Sequence, residues 1–286
     1  SEAIVTAVKE TEKKVKAPKL YDLTTLQREA NRIYGMTAKQ TLDTAQSLYE
    51  KKLITYPRTD SQYLTEDMEQ TARNVVHQIH EKYQLTGPFD QPEQPDVKKV
   101  MNNSKVTDHH AIIPTMELTS CHMDELKSWE EKILFLIAVH TVMAMSKNHI
   151  YQETEIEVEC QGEVFKTKGK TVLQDGWKIF ENCFKNKDRM AIADPDQEMK
   201  ERIPKVTKGQ TFYAVAAEKT EHFTSPPKPY SEDTLLAAME TAGNKEFDED
   251  TEKKGLGTPA TRAGIIEKLI YSQYATRKGK QIIPTD

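Results

Sequence analysis

The sequence predicts an α+β protein of several domains: a helical block inserted into a discontinuous β-rich unit, with part of a mainly helical domain after it. Three observations predict this. Residues 1–22 open with apolar and polar side chains in alternation (Ala3, Val5, Ala7), and alternation returns after residue 149 in Glu155-Ile156-Glu157-Val158-Glu159-Cys160. Between these stretches the apolar residues recur at helical spacing, and helical spacing resumes from Ser231. The chain therefore divides into 1–22 with 149–228, then 23–148, then 229–286; a length of 286 residues suits about two or three such domains.

The opening strand runs into a crossing segment, Lys-Ala-Pro-Lys-Leu-Tyr-Asp-Leu. Helices follow, because Thr24 with Gln27 and Thr37 with Gln40 have capping-box spacing. Leu26, Ala30 and Ile33 form one apolar stripe closed by Gly35. Ala38, Leu42, Ala45, Leu48 and Tyr49 form a second, which runs out at Lys51–Lys52. Met68, Ala72, Val75, Val76 and Ile79 share a face of a third helix over about 65–82. Residues 86–104, rich in Pro, Gln and Asp, read as an irregular loop, and a long apolar helix covers roughly 123–146. In the second β-rich stretch, Val164, Phe165 and Val172 carry strand character, with Gly162 and Gly169 as turns. Residues 212–216 make a further strand. Ser231 caps a helix to Thr241, with acids in its first turn and Gly243 beyond its end. Pro259 opens the last helix behind the cap Thr258.

Composition is that of an ordinary globular chain, with 37% hydrophobic residues and a formal net charge of −5. An acidic total weighs against a uniformly basic nucleic-acid surface, but the charge is uneven. Residues 9–19 hold five lysines against two glutamates, whereas 244–252 hold five acids against one lysine. Cys121, Cys160 and Cys183 include no Cys-x-x-Cys pair, which favours a reducing compartment and no zinc site. No run approaches eighteen apolar residues, and the first residues lack the order of a signal peptide, so the cytoplasm is expected.

Leu53-Ile54-Thr55-Tyr56-Pro57-Arg58-Thr59-Asp60-Ser61 carries the most chemistry. Proline holds the residue before it extended, and in an extended segment positions i and i+2 face the same way. Tyr56 and Arg58 can then face one target, with Thr55 and Pro57 turned away. A phenol, with an ordinary pKa of about 10, is a weak nucleophile at neutral pH. A guanidinium beside it supplies fixed charge and paired donors for a phosphate. The pair suits attack on a phosphodiester to form a phosphotyrosine. Alone, the same tripeptide also fits a surface turn with an exposed arginine.

Residues 48–61 as a block resemble the active-site signature of type IA DNA topoisomerases, topoisomerase III in particular. His109-His110-Ala111-Ile112-Ile113-Pro114-Thr115 resembles the family's second motif, and Gly255-Leu256-Gly257-Thr258-Pro259-Ala260-Thr261-Arg262-Ala263 its third. A fourth block, residues 226–232, precedes the third in the family's order. The resemblance implies an arched β domain carrying a helical domain with the tyrosine, the whole ringing a DNA-sized hole. It implies that Tyr56 attacks one strand and becomes linked to the 5′ phosphate, releasing a 3′ hydroxyl, while Arg58 holds the phosphate. Strand passage and resealing follow without a nucleotide cofactor.

His109 matches the histidine that contacts the phosphate, although by its own surroundings it equally fits a satisfied residue at a strand mouth. His110 should point elsewhere, and His77 and His80 read as a solvent-facing pair on one helix. Lys105 is placed near DNA. Thr258, Thr261 and Arg262 surround a helix N-terminus that suits a phosphate of single-stranded DNA or, equally, ordinary capping. Ser272 departs from the family's basic residue, which puts phosphate grip there in doubt unless Arg277 and Lys278 supply it.

Family members bind magnesium in a separate N-terminal domain through a glutamate and an Asp-x-Asp motif. Asp194-Pro195-Asp196 resembles the latter only superficially and reads as a loop, so no metal is expected in this chain. The expectation is a central fragment of a bacterial, nucleoid-associated monomeric enzyme acting on single-stranded and supercoiled DNA, and inactive by itself. Rolling-circle relaxases are disfavoured, because adjacent His109 and His110 would face opposite ways on a strand. A type IB enzyme or tyrosine recombinase places its tyrosine late, whereas Tyr56 is early. The remaining alternative is a non-enzymatic single-strand-binding module.

Overall fold

The computed structural model describes residues 1–85, 95–181, 203–243 and 255–285. Their contacts group into two compact units, Ser1–Ala17 with Lys147–Pro226 and Pro18–Ser146 with Pro227–Asp286. Helix and antiparallel sheet are combined as the α+β expectation has it.

The first unit is a four-stranded antiparallel sheet of β1 (Glu2–Val15), β2 (His149–Cys160), β3 (Glu163–Gln174) and β4 (Thr211–Tyr213), in the order β3-β2-β1-β4. β1 pairs with β2 from Ile4↔Glu159 to Val15↔His149, with one register shift between Val5 and Ala7. The β2–β3 connection is a two-residue turn, Gln161-Gly162, with φ of 53° and 85°. Two positive φ values in succession match the right-handed twist of a hairpin, and Gly162 adopts one without strain. Gly169 is not a turn. It lies within β3 opposite Thr154, and a Cβ there would meet Ile203 Cγ1 at 2.6 Å, so glycine is what lets Ile203 pack onto the strand. Ala3, Val5 and Ile156 are the buried apolar residues on the sheet. Lys166, Lys168 and Lys170 of β3 stand opposite Glu157, Glu155 and Glu153 of β2, and the first two pairs are bridged. The strand expected over 212–216 covers Thr211–Tyr213 and stops where Ala214 turns to a φ of 56°.

The second unit is helical. α1 (Leu23–Tyr34) is capped by Asp22, not by Thr24 as its spacing suggests: Asp22 Oδ1 accepts from the Thr25 N–H at 2.7 Å, and Thr25 Oγ1 accepts from the Asp22 N–H at 3.1 Å. Thr24 is thus inside the helix and buried. A carboxylate accepts these bonds at least as well as a hydroxyl, which is why Asp22 wins. Gly35 closes α1 with a φ of 70°, and Thr37 and Gln40 cap α2 (Ala38–Glu50) as expected. α3 spans Glu69–Tyr83. α4 (Ser128–Ala144) is buried all round from Ile133 to Ala144, and α1, α2 and α3 all contact it. Each large apolar side chain it buries is worth about 1.5–3 kcal/mol. A smaller core joins Ala38 of α2 to Leu236 and Met239 of α5 (Glu232–Thr241) and Ala263 and Ile266 of α6 (Pro259–Tyr271). Glu232, buried at the start of α5, accepts from the Ala38 N–H at 2.6 Å and from Arg277 at 2.8 Å. A short hairpin, β5 (Ala275–Lys278) and β6 (Gln281–Pro284), completes the unit.

Candidate active site

The loop bearing Tyr56 is fixed at both ends. α2 finishes with Lys52 in the left-handed region (φ 62°), Leu53 N donating to Leu48 O at 2.9 Å and Lys52 N to Tyr49 O at 2.8 Å. This pair of bonds is a Schellman closure, made here without glycine. The preceding turn is tied down by Glu130, which is buried and accepts from Ser47 at 2.6 Å and from Lys51 at 2.7 Å. Burial pushes the Glu130 carboxyl up, but the Lys51 ammonium, the Ser47 hydroxyl and the Lys127 backbone N–H outweigh it and hold it at about 2.

Beyond Lys52 the chain is stitched to the 109–115 segment. Thr55 N donates to Ile113 O at 3.0 Å, Thr115 N to Leu53 O at 3.0 Å, and Thr55 Oγ1 to Ala111 O at 2.9 Å. Thr59 Oγ1 donates to His109 O at 2.9 Å, and Leu23 N donates to Thr59 O at 3.0 Å. Side chains then alternate. Pro57 and Thr59 are buried, Tyr56 is half-buried and Arg58 is exposed. Tyr56 and Arg58 therefore point away from the core, and among the described residues Arg58 makes no hydrogen bond or ion pair with the protein.

Tyr56 is less exposed than a free surface phenol because two rings flank it. His109 lies 4.3 Å away, tilted by 43°, and Tyr49 meets it edge-on at 5.3 Å. His109 itself is exposed, while His110 turns its Nδ1 to Ala111 O at 2.9 Å. Lys105 is exposed with its Nζ 5.1 Å from the centre of the Tyr63 ring. Tyr49, Thr55 and Thr59 are parts of the site that local sequence does not show. Tyr49 falls on an apolar helical stripe, and the two threonines act through partners about fifty residues away.

Thr258, Thr261 and Arg262 form a separate cluster at the start of α6. Thr258 N donates to Thr261 Oγ1 at 2.8 Å, and both threonines are exposed. Arg262 differs from its expected role. It is buried, with Nε on Leu256 O at 3.1 Å, Nη1 on Thr24 Oγ1 at 2.9 Å and Nη2 towards Gly257 O at 3.3 Å. Its guanidinium braces the turn before α6 and is not offered to a ligand. Gly255 makes that turn with φ 65°, where a Cβ would lie 2.4 Å from the carbonyl oxygens of Met239 and Glu240. Arg277, the suggested substitute for a basic residue at exposed Ser272, is engaged by Glu232 and Glu267. Of the histidines of α3, His77 faces solvent as expected and lies 3.3 Å from exposed Glu81, whereas His80 is half-buried with its Nδ1 3.1 Å from Leu85 O.

Among the described residues no three carboxylate, imidazole or thiolate groups come together to hold a metal ion, and no helix is long and apolar enough to cross a membrane. Asp194, Asp196, Cys183 and the acidic run 244–252 lie outside the described residues.

The family described as DNA topoisomerase matches residues 1–286. DNA topoisomerase 3 of Bacillus licheniformis is 38% identical over 301 residues, covering 99% of this chain and 39% of the relative. DNA topoisomerase 3 of Bacillus subtilis is 38% identical over 296 residues, covering 99% and 40%. The full-length topoisomerase I structure from Thermotoga maritima superposes with a TM-score of 0.71 at 25% identity, covering 99% of this chain and 43% of that one. The chain thus spans about two-fifths of the length of the curated relatives it matches. By sequence and fold together, it belongs to the type IA DNA topoisomerases and resembles topoisomerase III.

Proposed function

We propose that this chain is part of a bacterial, cytoplasmic topoisomerase III-like enzyme in which Tyr56 opens one DNA strand. The Tyr56 oxygen attacks phosphorus, an O–P bond forms as the bond to the 3′ oxygen breaks, and the phenolic proton leaves while the 3′ oxygen gains one. The 5′ phosphate remains on the tyrosine, another strand passes, and the reverse step reseals the break. Arg58 neutralises the attacked phosphate, and His109 orients the phenol and contacts the same phosphate. The observation that carries the reading is the His109 ring packed on Tyr56 beside an arginine with no protein partner among the described residues.

Lys105, Thr258 and Thr261 are proposed to contact the single-stranded substrate, with Arg262 shaping the α6 terminus behind them. The division into 1–22 with 149–228, 23–148 and 229–286 is proposed as the domain plan. Magnesium is proposed for the complete enzyme, supplying positive charge at the phosphate, with ligands outside this chain. The described residues assemble no donor set for it, and no step here is assigned to it. The complete enzyme is expected to act as a monomer on single-stranded and supercoiled DNA.

The test is covalent capture. The complete protein, mixed with end-labelled single-stranded DNA and magnesium and then denatured, should retain label on the polypeptide, and Tyr56→Phe should abolish it. Binding without any adduct in the unaltered protein would leave only a single-strand-binding module.

A further inference from the structure

Beside the Tyr56 loop, Lys105, proposed above to meet the substrate, shares a ring with a second lysine to which no role has been given. The ring of Tyr63 has the ammonium of Lys19 at 5.6 Å from its centre and that of Lys105 at 5.1 Å. Both lysines are exposed, and among the described residues neither meets a carboxylate. The negative face of the ring attracts each ammonium by about 0.5–1 kcal/mol per exposed contact, which leaves the positive charge of both lysines available to a ligand. Two exposed ammoniums with no carboxylate partner among the described residues suit an anion.

The cluster is held by buried groups. His140, buried in α4, donates from Nε2 to Lys19 O at 2.7 Å and stacks on Tyr21 at 3.7 Å between ring centres. Buried Ser61 donates to Lys105 O at 2.8 Å and accepts from the Tyr63 N–H at 3.2 Å. One residue then ties the cluster to the Tyr56 loop. Ala111 donates its N–H to Tyr63 O at 2.9 Å and accepts at its carbonyl from Thr55, the neighbour of Tyr56. The two lysines come from segments more than eighty residues apart, yet each backbone is fixed from below by a side chain that solvent does not reach.

We propose that Lys19, Tyr63 and Lys105 form a phosphate clamp for the nucleic-acid strand that runs past Tyr56. This deepens the functional reading above and rests on it. Lys19 and Lys105 would each meet a backbone phosphate, and the Tyr63 ring would steady both side chains. The contact is to the backbone, so it should be insensitive to base sequence.

The experiment uses the complete protein and a fluorescent single-stranded oligonucleotide, titrated across a salt series. Removing one lysine–phosphate pairing should lower the slope of log affinity against log salt by about 0.7. Lys19→Ala and Lys105→Ala are each expected to show that decrease and a three- to tenfold weaker affinity at low salt. Tyr63→Leu should weaken binding about threefold, and Tyr63→Phe, which keeps the ring, should recover it. A methylphosphonate scan of the oligonucleotide on the unaltered protein needs no folded variant: one or two neutralised positions near the cleavage point should weaken binding, and Lys19→Ala with Lys105→Ala should erase that sensitivity. Unchanged slopes in the lysine variants, or a flat methylphosphonate scan, would overturn the clamp. Denatured adduct measured in the same samples separates the two ideas. Adduct present with a flat scan removes only the clamp, whereas no adduct in the unaltered protein removes the chemistry on which it rests.

Discussion

Tyr56 has its ring confined by Tyr49 and His109, while Arg58 is left without a protein partner among the described residues. Removing the imidazole frees the phenol to rotate and deletes a group that would meet the phosphate. His109→Ala is therefore expected to slow adduct formation by about 100-fold, in the range of positioned acid–base groups, in a single-turnover assay. Arg58→Lys keeps the charge but not the paired donors, and should recover only part of the rate that Arg58→Ala removes. These residues were legible in the sequence because proline and the two-residue repeat fix which side chains share a face. Arg262 was not. Its burial depends on Thr24, whose hydroxyl lies 2.9 Å from the guanidinium across more than two hundred residues of chain. Lys19 and Tyr63 were hidden for the same reason, since nothing in their local spacing reports that they meet.

At the scale of elements, the end of α2 and the start of α6 carry the strongest constraints. Glu130 holds the last turn of α2, with its carboxyl at about 2, below the ordinary unfolded value of about 4.3. A depressed carboxyl contributes stability that is complete above about pH 5 and is lost as pH falls towards 2. Allowing for the partly exposed Lys51, that contribution is about 2 kcal/mol. Urea unfolding should show Glu130→Gln less stable by about this amount at pH 7, with the gap narrowing on acidification. At α6, Gly255→Ala forces a Cβ against two carbonyl oxygens at a positive φ, and should cost at least about 2 kcal/mol. Caps set by neighbouring residues were readable, as Thr37 with Gln40 and Ser231 show. The Thr24 spacing misplaced the cap of α1, which Asp22 supplies two residues earlier, and Gly169 proved to be a packing site because Ile203 lies on it.

For the whole molecule, the sequence pattern anticipated an α+β chain with helices interrupting a β-rich stretch, since period-two and helical spacing are properties of each segment alone. Pairing of β1 with β2 across more than 130 residues follows from tertiary structure that periodicity only hints at. The chain spans about two-fifths of its curated relatives, and its described residues gather no carboxylate cluster. These 286 residues alone are therefore expected to leave a supercoiled plasmid unrelaxed in magnesium, as agarose electrophoresis would show.

The row of lysines on β3 has a consequence for how the protein keeps apart from its own copies. Among the described residues β3 is the outermost strand on its side of the sheet, so its outer backbone groups form a template that another extended chain could join. Lys166, Lys168 and Lys170 repeat at every second position along it, and a second β3 laid alongside would bring ammonium against ammonium. Replacing all three by threonine would remove that barrier while favouring extended backbone. The resulting protein should form thioflavin-positive fibrils from the folded state long before it melts.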